Sequence, residues 1–313
     1  MASVYALLLL ALAVFAPSFH RAGNWRDIAV ANAPLLLTAT GMTLVVLTRH
    51  VDVSVGSQFA ICGVLAGLMA KAGWPMPVVA LGTVAAGMAM GGLNALLVAV
   101  LGLPSIVATL ATMVTLREGL RWATEGAWVE DLPPNFQWFG LGQAAGRALI
   151  VALSLAVFAA IAWALVHLRA GRAVYATGSD AEAARLLGVP ARATVALGFV
   201  ALGGLGALAA LLTAVQFIDV QSSAGIGLEL KVIAAVVVGG TAITGGRGTA
   251  PGTLLGVALL GTLGPALTFL GSHAYWERAL QGAIILAAVA SDAFEGRVVA
   301  RPVDVVPEGA RAG

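Results

Sequence analysis

Long apolar runs recur along the chain, and each has about the length that crosses a bilayer. A helix needs about 20 apolar residues to span a hydrocarbon core of ~30 Å. We count ten such segments, and the third and eighth are short and interrupted by glycine, which predicts broken or re-entrant helices. They are 3–19, 28–47, 53–70, 76–101, 105–122, 148–167, 193–217, 229–244, 249–270 and 275–290.

The composition excludes a soluble domain. Of 313 residues, 60% are hydrophobic and only 10% are charged, whereas soluble domains carry about 25% charged residues. Disordered chains are poor in apolar residues, so disorder is excluded as well. We therefore expect an all-α fold, a polytopic transmembrane helical bundle of about ten spans. It forms a single membrane domain over residues 1–292, followed by a cytoplasmic, disordered tail over 293–313.

The first apolar run has two interpretations. It could be a signal peptide, but it lacks a charged n-region and a clean A-x-A cleavage site. We interpret it as the first span.

The distribution of arginine predicts the orientation in the membrane. Cytoplasmic loops are rich in Arg and Lys. The stretch 169–192 carries four arginines and the tail carries three, and four predicted spans separate them, so both lie on one side. That side is predicted to be cytoplasmic. The long loop 121–146, with its tryptophans and the pair Pro133–Pro134, then faces the periplasm, either as a docking platform or as an aromatic belt.

Motifs for catalysis and for cofactors are missing. Neither Lys71 nor Lys231 follows a glycine, so no phosphate-binding loop is present. The four histidines are far apart, which gives no support to a metal site, and the single Cys62 cannot form an intramolecular disulfide. The net charge of +2 is too small to indicate nucleic acid. We expect no catalytic residue, no metal and no cofactor, and hence no enzyme.

One polar stretch predicts a short helix outside the membrane. Ser179 to Glu182 reads as a capping box, Gly188 suits a left-handed C-terminal position, and Pro190 stops the helix. Its apolar face would carry Ala183, Leu186 and Leu187. A helix of two turns is unstable alone, so it must pack either on its own spans or in a partner's groove.

The same stretch is one of three motifs that resemble motifs of a known protein family. The run EAARLLGVP after TGSDA resembles the coupling loop in membrane subunits of bacterial ABC importers of the ribose/branched-chain type. Two further segments resemble motifs of that family, and all three occur in order between Leu36 and Asp292: TRHVDVSVGS and ELKVIAAVVVGGTAITGGRGT. The long outer loop, with GAWVEDLP, is most similar to the rhamnose and autoinducer-2 branch.

The resemblance implies a function and partners. The chain would be the permease subunit of an importer in the bacterial cytoplasmic (inner) membrane, and it would translocate a small sugar or sugar-like solute of the rhamnose or autoinducer-2 type. ATP would be hydrolysed in separate ATP-binding subunits. A second permease subunit (a copy or a paralogue), a periplasmic solute-binding protein and the lipid bilayer are the other expected partners. The coupling helix to the ATPase would comprise Ser179, Asp180, Glu182, Ala183, Ala184, Arg185, Leu186, Leu187 and Gly188.

The resemblance also implies two polar turns at a membrane interface. The first contains Asp52, Ser54, Gly56 and Ser57, and the second contains Gly245, Gly246, Arg247, Gly248 and Thr249. The first turn is either structural, because Asp and Ser bond nearby backbone amides, or a contact to the solute. The arginine of the second is either a snorkelling anchor or a contact to the ATPase.

Two sets of residues remain ambiguous from the sequence. Amide side chains bind hydroxyls, which makes Gln58, Asn94 and Gln216 candidates for the substrate path, although amides also join helices. Glycine pairs at 63/67, 87/91 and 252/256 favour close packing, either within the chain or across a dimer face.

Two other classes of protein compete with the importer. A secondary carrier or facilitator would move the solute without ATP, and transport in vesicles lacking ATP would favour it. A membrane-embedded enzyme would need clustered His or Asp on helix faces, and the sequence does not offer such a cluster.

Overall fold

The computed structural model describes residues 2–271, 276–284 and 286. Within these ranges the chain is helical, and its β pairing is limited to one isolated bridge between Val129 and Val220. The predicted tail 293–313 and part of the tenth predicted span lie outside the described residues. The helices are α1 (Ala2–Phe15), α2 (Ala22–Leu47), α3 (Val55–Lys71), α4 (Met76–Ala95), α5 (Ser105–Thr124), α6 (Gln143–His167), α7 (Arg169–Ser179), α8 (Ala181–Leu186), α9 (Ala191–Ala214), α10 (Leu228–Val238) and α11 (Ala250–Phe269).

Five of these helices are long and apolar enough to cross a membrane: α2, α4 with its continuation to Val100, α6, α9 and α11. The helices α1 and α3 are apolar but shorter. The helix α5 has 20 residues but carries Arg117, Glu118 and Arg121. The third and eighth predicted segments are short, as expected, because α3 has 17 residues and α10 has 11. The count of about ten spans stays a prediction.

The helices α2 and α9 form the centre of the bundle. In the most apolar window of each helix, 83% of α2 and 67% of α9 are buried, compared with 22% of α6. The outer helices expose large apolar side chains such as Leu81, Val107 and Val166. An outward apolar surface around a buried centre is the pattern that a lipid environment requires.

Glycines allow the central helices to approach closely. A Cβ on Gly91 would collide with the carbonyl of Phe199, and a Cβ on Gly87 would collide with the carbonyl of Gly203, so α4 and α9 meet backbone to backbone. In the same way Gly256 of α11 faces the carbonyl of Ala235 in α10. These predicted glycine pairs therefore pack within the chain.

The bundle has two ends, which are defined by their contacts. At one end, hereafter the α8 end, the last turn of α2 meets α7 and the turn 239–249. At the other, hereafter the loop end, Arg147 binds Asp27 at 2.9 Å and Lys71 lies beside the loop 125–142. The 26 residues of α2 connect the two ends, which at 1.5 Å per residue is about 39 Å.

Two neighbouring glycines of α4 give a matched test of this packing. Gly91→Ala should destabilise the protein by about 1–3 kcal/mol, because the new methyl would force α4 away from the Phe199 carbonyl. Gly92→Ala should leave stability unchanged or raise it by up to about 1 kcal/mol, since its nearest neighbour would be Val200 Cγ2 at 4.0 Å and alanine favours helix. Thermal unfolding in detergent measures both. Equal effects of the two variants would contradict the close approach of α4 and α9.

Candidate functional site

A fully buried carboxylate holds the break between α2 and α3. Asp52 is 0% exposed and its two oxygens accept four hydrogen bonds. Oδ1 accepts from the backbone N of Ser54 at 2.8 Å and from its hydroxyl at 2.6 Å. Oδ2 accepts from Gln58 Nε2 at 3.2 Å and from Asn94 Nδ2 at 3.0 Å. The four donors compensate for the loss of water around the carboxylate.

The remaining bonds extend this cluster to α5. Both amide nitrogens also donate to the hydroxyl of Ser54, from Gln58 at 2.7 Å and from Asn94 at 2.8 Å. The hydroxyl of Thr112 in α5 donates to Asn94 Oδ1 at 2.9 Å. The set of Asp52, Ser54, Gln58, Asn94 and Thr112, hereafter the Asp52 cluster, thus joins the break to α3, α4 and α5.

The same break also uses α5 to satisfy its backbone. The amide of Val51 donates to Ser105 Oγ at 3.3 Å, and the amide of Val53 donates to Thr109 Oγ1 at 3.1 Å. Non-helical backbone at membrane depth needs such partners from the protein itself. The turn expected at an interface is therefore enclosed by the bundle, because hydroxyls of α5 replace the water that an exposed turn would bind.

The three residues predicted for the substrate path lie in two separate parts of the structure. Gln58 and Asn94 lie together in the Asp52 cluster, where their amide nitrogens are already bonded. Gln216 lies near the loop end and donates to the carbonyl of Leu212 at 2.7 Å, so it is separate from them. Sequence reasoning missed Thr112, because nothing in the sequence distinguishes it from the other threonines of α5.

Gly56 and Ser57, the other two residues of the first predicted turn, contact groups outside the Asp52 cluster. The hydroxyl of Ser57 donates to the carbonyl of Met113 at 2.9 Å and accepts from Arg117 Nε at 3.1 Å. Gly56 lies against the carbonyl of Gly225 and the carboxylate of Glu229. Neither Arg117 nor Glu229 was predicted as a site residue, although both charges stand out within apolar segments.

The short helix α8 differs from its prediction at the N-terminus. The residue that caps it is Asp180, whose Oδ1 accepts from the amides of Glu182 at 2.9 Å and Ala183 at 3.0 Å. The predicted cap, Ser179, is instead the last residue of α7. The carboxylate of Glu182 does not reach back to close a capping box, since it accepts from Arg185 at 2.6 Å. This hydrogen bond and the charge of Glu182 raise the pKa of Arg185 above its usual value.

Most of α8 is exposed in the described part of the chain. Ala184 is buried, but Ala183 is exposed, and the exposed fractions of Leu186 and Leu187 are 78% and 84%. The helix ends as expected, because Gly188 has a φ of +80°. The three residues of the predicted apolar face are thus all exposed, and the one buried alanine, Ala184, lies outside that face.

Three segments meet where α8 begins, in a contact that we call the three-way joint (Leu47, Arg49, Gly178, Ser179 and Gly246). Arg49, with a φ of +69°, donates from Nε to the carbonyl of Gly178 at 2.6 Å and from its terminal nitrogen to that of Ser179. The amide of Gly246 donates to the carbonyl of Leu47 at 2.9 Å. A Cβ on Gly178 would collide with that carbonyl and with Gly246 N, so the segments touch through backbone.

The second predicted turn forms one side of this joint. Gly245 and Gly246 have φ values of +79° and +70°, which glycine adopts at no steric cost. The carbonyl of Gly248 accepts from the hydroxyl of Tyr175 in α7 at 2.9 Å, and burial raises the pKa of that tyrosine. Thr249 caps α11 through a bond from Gly252 N at 3.1 Å, and the carbonyl of Arg247 accepts from Ala242 N.

The described part of the chain was compared with the side-chain clusters that hold metal ions. No group of three His, Cys, Asp or Glu side chains there is arranged to hold an ion. The side chains that the fold brings together are amides, hydroxyls and charged groups that hydrogen-bond one another. Such groups join helices and loops.

Comparison with known proteins gives a family and close relatives. A family model described as "Branched-chain amino acid transport system / permease component" matches residues 24–289. Two relatives, from Salmonella typhimurium and Escherichia coli, are each called "Autoinducer 2 import system permease protein LsrC". Each is 38% identical over 264 residues, which cover 84% of this chain and 75% or 76% of the relative, respectively. No solved structure matches the chain significantly.

The hydrogen bonds of the Asp52 cluster predict that the isosteric substitution Asp52→Asn lowers stability strongly. In Asp52→Asn the new NH₂ would face Gln58 and Asn94 or Ser54, and each donor left without an acceptor costs about 1–3 kcal/mol. Asp131→Asn is the matched control, since its side chain is 90% exposed and lies 3.8 Å from Lys71, and such surface pairs contribute about 0–1 kcal/mol. Thermal unfolding in detergent should show a marked fall in melting temperature for Asp52→Asn and none for Asp131→Asn. A stable Asp52→Asn protein would contradict the role assigned to the carboxylate.

Proposed function

This chain belongs to the permease-component family of branched-chain amino acid transport systems, and we propose that it forms the membrane path of an ATP-driven importer for autoinducer 2 or a related sugar-like solute. Membership makes it a transport permease and a multi-pass membrane protein. The solute is proposed from the relatives, which are named as autoinducer 2 import permeases and are 38% identical over 84% of the chain. Those names support an importer over a secondary carrier or facilitator.

The proposed complex contains partners on both faces of a bacterial inner membrane. Two ATP-binding subunits dock on the cytoplasmic face, a second permease completes the path, and a solute-binding protein delivers the solute from the periplasm. The α8 end is the cytoplasmic end and the loop end is the periplasmic end. The chain crosses the membrane about ten times, with α3 and α10 as shortened spans.

The observation that carries this proposal is the exposure of α8. Two adjacent leucines, 78% and 84% exposed, lie at the end of a helix that the described part of the chain buries only at Ala184. A short helix with an open apolar face fits a groove in a partner protein. We assign that groove to the ATP-binding subunit.

The geometry also gives a route by which the ATPase acts on the bundle. The helix α8 follows α7 directly, and the last residues of α7 are held by Arg49 and Gly246 in the three-way joint. Three residues beyond Arg49 lies Asp52, and the turn that contains Gly246 joins α10 to α11. A displacement of α8 therefore acts on the break before α3 and on α10 together.

The coupling helix is tested by a charge placed on its apolar face. Leu186→Asp should weaken binding of the ATP-binding subunit at least tenfold, because burying one leucine contributes roughly 1.5–3 kcal/mol and about 1.4 kcal/mol is one decade. Leu141→Asp, an exposed leucine near the loop end (47% exposed), is the control and should bind normally. Co-purification and ATP-dependent uptake measure the effect. A Leu186→Asp permease that loses thermal stability while it binds the ATPase with unchanged affinity would refute the assignment.

The orientation is tested by labelling single cysteines. After the buried Cys62 is replaced, cysteines at the exposed positions Glu130 and Asn135 should react with an impermeant thiol reagent in intact spheroplasts. A cysteine at Ala183, exposed on α8, should react only after membrane disruption in cells without the ATP-binding subunit. The reverse pattern would invert the proposed topology.

A further inference from the structure

An apolar groove opens beside α7 at the α8 end of the bundle. Its volume is about 510 Å³, which is within the range of ligand-binding pockets in proteins. Four helices form its walls, and they are represented by Leu44 of α2, Leu165 of α6, Val174 of α7 and Leu197 of α9. We call it the α7–α9 groove, because most of its lining belongs to those two helices or directly precedes α9.

The groove is about as deep as one leaflet of a bilayer. It begins at Pro190, directly before α9, and follows that helix to Ala201. At 1.5 Å per residue this stretch is about 16 Å long, which is about half of a hydrocarbon core of ~30 Å. The groove therefore has the length that one acyl chain needs.

The lining suits an apolar occupant rather than a hydroxylated one. Among the described residues that line the groove, Arg169 and Thr194 alone have polar side chains. The hydroxyl of Thr194 already donates to the carbonyl of Pro190 at 3.1 Å. Leu197 lines the groove and is 65% exposed, so the groove opens on the apolar outer surface, which faces lipid chains in a membrane protein.

Three arginines lie at the mouth of the groove. Arg169 lines it, Arg172 follows three positions later on α7, and Arg192 directly precedes the lining residue Ala193. All three are exposed, and within the described part of the chain none of them forms an ion pair. The lining there includes no acidic residue. A basic mouth above an apolar groove complements an amphiphile with a negatively charged head.

An aromatic pair on α6 marks the level of the lipid headgroups. Trp163 directly precedes the lining residue Ala164 and is 56% exposed, and its ring stacks on that of His167 with 5.2 Å between the centroids. Tryptophan is enriched where acyl chains meet headgroups. Because Arg169 lies two positions beyond His167, the charged mouth is at headgroup level and the groove extends from there into the hydrocarbon layer.

We propose that the α7–α9 groove binds one anionic phospholipid, with an acyl chain along α9 and the phosphate at Arg169, Arg172 and Arg192. Basic pockets between transmembrane helices bind the headgroups of anionic lipids in this way. A zwitterionic lipid would bring its own ammonium group to the same arginines, so it binds less well. The bound lipid bridges α7 and α9, the two helices that α8 connects, and this role goes beyond the proposed function because it does not depend on the solute.

The test measures lipid binding to the full-length permease in a non-ionic detergent by native mass spectrometry. The protein is titrated separately with phosphatidylglycerol, with phosphatidylcholine that has the same acyl chains, and with glycerol phosphate, which has the anionic group but no chain. The unmodified protein should bind one phosphatidylglycerol at least fivefold more tightly than phosphatidylcholine. Glycerol phosphate should show no comparable binding, since it cannot fill the groove.

Two variants separate the charge from the groove, and a third is the control. Arg169→Gln should weaken phosphatidylglycerol binding about fivefold, the factor that one arginine contributes near an anionic headgroup, and leave phosphatidylcholine binding unchanged. Ala193→Phe places a ring in the groove and should weaken binding of both lipids. Arg121→Gln removes the same charge from an exposed arginine that pairs with Glu118 at 3.2 Å, and it should bind lipid as the unmodified protein does.

Three outcomes would overturn the proposal. Equal affinities for the two lipids would favour a protein segment as the occupant of the groove. An unchanged affinity in Arg169→Gln, or an equal loss in Arg121→Gln, would place the lipid elsewhere. Tight binding of glycerol phosphate together with an unaffected Ala193→Phe protein would indicate a site for a free anion. If Arg169→Gln lowers the melting temperature, the exposed Arg172→Gln and Arg192→Gln variants, which leave the lining intact, decide the same question.

Discussion

A carboxylate enclosed by helices needs a donor for each of its oxygen lone pairs, and Asp52 obtains four from three segments of the chain. This requirement determines much of the surrounding structure. It brings Gln58 and Asn94 together and, through the latter, Thr112 of α5. The donors to Asp52 lie in the break itself, on α3 and on α4, and Thr112 of α5 donates to Asn94 in turn. The break after α2 therefore has a fixed position even though it has no regular hydrogen bonding of its own. The bundle is organised around that break.

Close backbone contacts are the second condition on which the architecture depends. The helices α4 and α9 meet through glycines, and so do α10 and α11, which leaves little volume between them for side chains to adjust. The three-way joint follows the same rule, since Gly178 and Gly246 touch the carbonyl of Leu47 directly. Contacts of this kind transmit displacement efficiently, because protein interiors are packed as densely as organic crystals.

The sequence was sufficient for the local features and insufficient for the contacts between distant segments. Hydrophobic run length located the apolar helices and predicted that α3 and α10 are short, and Gly188 located the end of α8. The helix α7 was not predicted. The N-terminus of α8 was assigned to Ser179 because it and Asp180 are both good caps, and only the extent of α7 decides between them. The residues of the Asp52 cluster come from several helices, and Arg117 and Glu229, which are 112 positions apart, both lie against Gly56. No local pattern carries that information.

The helix α10 connects the interior of the bundle to the three-way joint. Its first turn carries Glu229 beside Gly56, and its last residue leads into the glycine turn that contacts α7 at the three-way joint. With 11 residues it is about 16 Å long, so it reaches from the interior of the bundle to the α8 end. Arg117 belongs to α5, which lacks a direct link to that turn among the bonds described. A movement of α8 that shifts the turn would thus move Glu229 relative to Arg117. On the proposed function, α10 would thus carry the action of the ATPase from the α8 end into the interior of the bundle, where its first turn lies against Gly56.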